Sequence, residues 1–169
     1  MNPESWGFIG TLFGAIVGAS TSILTTRINS RNAVRIQRDL EQNKRDERFR
    51  EFQRDNLIKL QDEIANCINL MIKAHIEDLE YFKHNNDWQS TALSEELNKK
   101  LTQAIRQFSI IIERIDDDIL RVKLYEFRKS INNSLISKNY DKSLSNINDI
   151  SKRFNGLMQD IGEELRKNY

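Results

Sequence analysis

The sequence predicts an all-α protein: one N-terminal transmembrane helix continuing into a cytosolic antiparallel helical bundle. Three observations predict it. Residues 6–26, WGFIGTLFGAIVGASTSILTT, contain no ionisable side chain. Charged residues make up 30% of the chain, with a single proline, Pro3. Beyond the apolar stretch, hydrophobic residues recur at steps of three and four, and no strand-like alternation of useful length interrupts them. The expected organisation is a span over 1–26, a charged helical stalk over 27–55 and a helical bundle over 56–169.

The apolar stretch comes first. At about 1.5 Å per residue it makes roughly 31 Å of helix, enough to cross a hydrocarbon core of about 30 Å. Lipid offers the backbone no hydrogen-bond partner, so a crossing segment closes its own bonds as a helix. Gly7, Gly10, Gly14 and Gly18 fall within it, and Ser22 continues the four-residue step. Gly10, Gly14, Gly18 and Ser22 therefore put one small residue on the same face at each turn, a glycine zipper. Phe8, Ile9, Leu12, Phe13, Ile16 and Val17 clothe the rest. Lipid gives leucine no reason to prefer a neighbouring helix, so association depends on close backbone approach, which a small-residue ridge allows. The expectation is a homo-oligomer. A cleaved signal peptide, with Val17-Gly18-Ala19 imitating a cleavage site, is disfavoured: no Lys or Arg precedes the span, and arginines after it resist translocation.

Those arginines set the orientation. Met1 to Ser5 holds Glu4 and no basic side chain, whereas Arg27, Arg31, Arg35 and Arg38 follow the span with no acid among them. The positive-inside rule then puts the N-terminus outside and the C-terminal domain in the cytoplasm, across a bacterial inner (plasma) membrane. The four arginines form one helical stripe. It suits anionic lipid headgroups, a positively charged vestibule in a ring of copies, or plain topology signalling with solvated side chains. The single cysteine, Cys67, excludes a disulfide framework and suits a reducing compartment. A net charge of +1 gives no overall field toward nucleic acid.

Residues 39–55 mix both charge signs with few apolar side chains. Glu41/Arg45 and Asp46/Arg50 are spaced i,i+4, and Glu47/Arg50 and Glu51/Arg54 i,i+3, supporting an exposed helix. From Phe49 an apolar stripe begins: Phe52, Leu57, Leu60, Ile64, Cys67, Ile68, Met71, His75 and Leu79 carry a helix to about Phe82. HNNDWQS at 84–90 is a turn cluster. Ser90 or Thr91 is the expected N-cap of a second helix with the stripe Leu93, Leu97, Leu101, Ile105, Phe108, Ile112 and Ile115. Asp116 to Asp118 mark a third start, followed by Leu120, Leu124, Phe127, Ile131 and Leu135. A turn at Asn139 to Asp141 leads to the last helix, with Leu144, Ile147, Ile150, Phe154, Leu157, Met158, Ile161 and Leu165. Amphipathic helices joined by short connections pack best as an antiparallel bundle.

Sites for chemistry are scarce. The only ligands with plausible metal spacing are Cys67, His75 and His84, with Asp78 and Glu80 nearby. Cys67, Met71 and His75 share a face, but a lone Cys and His among Leu and Ile are ordinary core residues, so no metal site or cofactor is expected. The Glu-x-x-His pairs of di-iron bundles, the Gly-rich phosphate loop and the nucleophile elbow are absent from the sequence. Lys44, Arg45, Arg48, Arg50 and Arg54 crowd the stalk, but interleaved acids cancel the field that phosphate binding needs, so nucleic acid is not favoured.

A single N-terminal span followed by a cytosolic helical bundle resembles the small membrane-anchored accessory proteins of type VI-B CRISPR antiviral systems. Those resemble HEPN domains, four-helix bundles whose nuclease members carry Arg-x4-6-His. The resemblance is one of architecture over the whole chain. The nuclease motif is missing: before His75 the nearest arginine is Arg54, and Arg106, Arg114, Arg121 and Arg128 have no histidine following. The resemblance therefore implies oligomeric membrane activity, not RNA cleavage.

Two non-enzymatic functions fit these residues. One is a membrane-perturbing effector or accessory protein in antiviral defence that oligomerises through its span and forms a pore. The other is a membrane-tethered adaptor or scaffold whose bundle recruits a cytosolic protein partner.

Overall fold

The computed structural model describes residues 3–85, 88, 93–137 and 139–169, and the described residues are helical throughout apart from short connections. Four helices follow in order: α1 (Pro3–Asn85), α2 (Glu95–Ile112), α3 (Asp118–Leu135) and α4 (Tyr140–Lys167). The chain divides into two compact units, Met1–Arg48 and Phe49–Tyr169. Helix α1 contributes to both, because nothing in its sequence after Pro3 breaks a helix: four glycines cost propensity without removing a hydrogen bond.

The second unit holds the core. Leu57, Leu60, Ile64, Cys67 and Met71 from α1 meet Leu97, Leu101, Phe108 and Ile112 from α2, Leu124, Phe127 and Ile131 from α3, and Ile150, Leu157 and Ile161 from α4. These are the predicted stripes, and each helix buries the one its spacing marks out. Phe49, Phe52 and Leu144 are exceptions, 48%, 49% and 40% exposed; at the start of α4 it is Ser143, beside Leu144, that is buried. At the level of Phe49 and Phe52 the core-facing positions belong to Gln53 and Asn56, both buried. Gln53 spans the connection between α2 and α3: its Nε2 donates to the Arg114 carbonyl at 3.0 Å and its Oε1 accepts from the Asp116 N–H at 3.1 Å. The bundle closes there, which leaves Phe49 a turn beyond it.

Caps fix the remaining ends. Asp117 and Asn139 stand at the N-caps of α3 and α4, their side chains accepting from Leu120 N–H at 2.6 Å and Lys142 N–H at 3.1 Å. The second helix starts later than its sequence predicts. Its N-cap is Ser94, and the Ser90 and Thr91 candidates lie outside the described residues. Ser94 makes no capping bond, because its Oγ and N–H both donate to the Glu77 carboxylate of α1, at 3.0 and 2.8 Å. A long-range tie has replaced the local cap. Leu93 precedes the helix and packs against the core from there.

These ties give the helix directions. The start of α2 sits beside Glu77 and its end beside Gln53, so α2 runs opposite to the Phe49–Asn85 part of α1. His75 meets Ser143 near the start of α4, and the Arg54 guanidinium lies 5.3 Å from the Tyr169 ring centre beyond its end. Successive helices in this unit are antiparallel.

Candidate functional site

The residues that the sequence singles out lie in the first unit. Gly7, Gly10, Gly14 and Gly18 are all in α1, and a Cβ built on any of them meets nothing within 4 Å. Ser22 is exposed, and the flanking side chains are open as well: Leu12 is 50% exposed, Phe13 64%, Ile16 54% and Val17 62%. Trp6, Phe8 and Ile9 have side chains outside the described set. Thr11 Oγ1 and Thr21 Oγ1 donate to the Gly7 and Val17 carbonyls at 3.3 and 2.8 Å, so the two hydroxyls are satisfied within the helix. The segment carries no ionisable side chain, and its described side chains are exposed. Among the described residues it lies in the one helix long and apolar enough to cross a membrane.

After the apolar stretch, Arg27, Arg31, Arg35 and Arg38 are exposed, and no ion pair among the described residues includes any of them. Arg31, Arg35 and Arg38 line a shallow hollow with Val34, and Asp39 stands at its edge. Ile36 and Leu40, 59% and 54% exposed, occupy other positions around the same helix. In the charged stalk the predicted pair Arg54–Glu51 closes at 3.8 Å. Glu41 and Asp46 instead accept from Gln37 at 3.2 Å and Gln42 at 3.0 Å. On an exposed helix, i,i+4 amide–carboxylate and ion pairs differ by only a few tenths of a kcal/mol, roughly, so the glutamines compete successfully.

The residues weighed for metal binding separate. Cys67 is fully buried, and burial, helped by the nearby Glu63 carboxylate, pushes its thiol up to about 12. It is a core thiol, protonated and inert at neutral pH. The His84 Nδ1–H donates to the Glu80 carbonyl at 2.8 Å on the surface. His75 belongs to a cluster that sequence spacing did not reveal. Its ring lies 5.5 Å from Trp88 and 6.5 Å from Tyr140, Phe82 stacks on Tyr140 at 5.6 Å, and Ser143 Oγ is 3.2 Å from His75 Nδ1. Trp88 Nε1 donates to the Ser137 carbonyl at 2.9 Å and so locks the connection after α1 onto the end of α3. The turn residues HNNDWQS hid an anchor. Burial lowers the pKa of His75 below its ordinary value. The four rings stand 5.3–6.5 Å from their neighbours, centre to centre, and tie α1, the connection after it and α4 together at this end of the bundle.

No family model, curated protein or solved structure matches the chain. Function must therefore be argued from the residues themselves.

Proposed function

We propose that the chain is a single-pass protein of the bacterial inner membrane, with its N-terminus outside and its bundle in the cytoplasm. It self-associates through the small-residue face of α1 and acts as a non-enzymatic, membrane-perturbing effector or accessory protein in antiviral defence. The observation that carries this reading is the open ridge of Gly10, Gly14, Gly18 and Ser22 on an uncovered apolar helix. Only a partner backbone or a lipid chain can lie against such a ridge in a bilayer, and helix against helix gives the closer packing. The antiviral setting rests on the resemblance of sequence architecture to the CRISPR accessory proteins, and the missing Arg-x4-6-His is in keeping with assembly and not RNA cleavage. Gly14→Leu and Gly18→Leu in the full-length protein, solubilised in mild detergent, are expected to reduce the oligomer to a monomer and to remove toxicity on overexpression. An unchanged mass in both variants, or a monomeric wild type, overturns the reading.

A second reading, a tethered adaptor, is favoured by exposed apolar side chains on α3, where Ile119 is 72% and Val122 57% exposed. Replacing residues 6–26 with an unrelated polyleucine anchor separates the two. Retained function supports the adaptor, and lost function supports assembly through the span.

A further inference from the structure

The arginine stripe and the end of the small-residue ridge nearest to it, Gly18 and Ser22, face away from each other on α1. At about 100° per residue, Gly14, Gly18 and Ser22 lead through Thr25 and Asn29 to Ile36 and Leu40 along one side of the helix. Arg27, Arg31, Arg35 and Arg38 centre about 150° away from that side. A copy packed on that end of the ridge therefore leaves the arginines uncovered by that copy. Each is exposed, and none enters an ion pair among the described residues; Asp39 lines the same hollow as Arg31, Arg35 and Arg38.

We infer that Arg27 and Arg31 form a site for the phosphates of anionic lipid headgroups in the leaflet at the C-terminal end of the span. This deepens the membrane-spanning reading above and rests on it. The axial positions grade the stripe. Counting from Thr26 at about 1.5 Å per residue, Arg27 lies at about 1.5 Å, Arg31 at about 7.5 Å, Arg35 at about 13.5 Å and Arg38 at about 18 Å. Headgroups occupy roughly the first 5–8 Å beyond the hydrocarbon. Helical side chains tilt toward the helix N-terminus, which here is toward the bilayer, so the first two guanidiniums lean back into the phosphate layer. Guanidinium forks match phosphate oxygens in bidentate geometry, and ammonium groups match them only as point charges. Arg35 and Arg38 stand beyond direct contact and act through the screened surface field, which fades over about 8 Å at physiological salt.

The test uses the full-length protein reconstituted in vesicles of phosphatidylcholine containing phosphatidylglycerol. Spin-labelled forms of each lipid report their relative association with the protein, and the mass of the assembly is measured on the same samples. The expected result is a roughly fivefold preference for phosphatidylglycerol per arginine in reach. Arg27→Gln with Arg31→Gln removes most of that preference, and Arg35→Gln with Arg38→Gln removes the smaller part. Arg27→Lys with Arg31→Lys, which keeps the charge that sets topology, retains a weaker preference. Equal association of the two lipids with the wild type overturns the inference, as does a preference untouched by the Arg27/Arg31 pair. Loss of the assembly in that pair also overturns it, by placing the arginines between copies. A monomer that still prefers phosphatidylglycerol sinks the self-association reading and leaves the headgroup site standing.

Discussion

Gln53 accepts the backbone N–H of Asp116 at 3.1 Å, across more than sixty residues of sequence, and donates to the Arg114 carbonyl with the same amide. One buried side chain thus satisfies a donor and an acceptor of a connection that has no helix to satisfy them.

Truncating it strands both backbone groups. Gln53→Ala is expected to lower stability by about 2–3 kcal/mol, since each orphaned buried group costs about 1–3 kcal/mol and partial solvation recovers some of it. Gln53→Glu keeps the acceptor, loses the donor and falls between wild type and alanine. Thermal unfolding of the detergent-solubilised full-length variants, followed by circular dichroism, checks the order.

Acid should weaken the cluster at the other end of the bundle. Burial holds the folded His75 below the ordinary 6.5, so between those two values the unfolded chain binds more protons than the folded one. The contribution of this ring is fully present above pH 6.5 and is lost as pH falls from there through the folded value. The unfolding midpoint should drop between pH 7 and pH 5.5, and His75→Gln should flatten that slope while lowering the midpoint at pH 7. A slope unchanged by the substitution would assign the acid sensitivity elsewhere.

Trp88→Phe removes one hydrogen bond and keeps most of the ring packing. The Ser137 carbonyl loses its donor, and about 1–2 kcal/mol is the expected loss. Trp88→Ala also deletes the ring against Phe82 and Tyr140 and should cost about 3 kcal/mol or more. Equal losses in the two variants would mean that packing contributes nothing there.

Gly156 offers a gain. It lies inside α4, exposed, with nothing within 4 Å of a built Cβ. Gly156→Ala should raise stability by about 0.5–1 kcal/mol by restricting the unfolded chain and improving helix propensity. A lowered midpoint would reveal that the hollow between Phe127 and Leu157 beside this glycine must stay open.

The core was legible in the sequence because it is built from one kind of signal. Leu97, Leu101, Phe108 and Ile112 repeat at helical spacing, and burial follows spacing directly. The starts of α3 and α4 were legible from the Asp116–Asp118 triplet and the Asn139–Asp141 turn, although which residue caps each helix was not. Ser94 was not legible, because Glu77, seventeen residues away, holds it. Nor was Gln53, whose partners lie on another connection, or Trp88, which sits among turn-forming residues and takes its meaning from His75 and Tyr140. Phe49 and Phe52 mislead in the opposite direction: they continue the period past the level where the bundle has anything to pack against them. The candidate site reads differently again. Its residues, Gly10 to Ser22 and Arg27 to Arg38, are exposed along a single helix, so their pattern in sequence and their geometry in α1 carry the same information.

The solitary sulfhydryl has a practical sequel. Cys67 is fully enclosed and its thiol is held far from ionisation, so the native protein is silent toward maleimides and mild oxidants without any engineering. A cysteine introduced anywhere along the uncovered length of α1 then reports alone. Crosslinks between copies, or labelling from one side of a bilayer, can be read position by position against a background that is already blank.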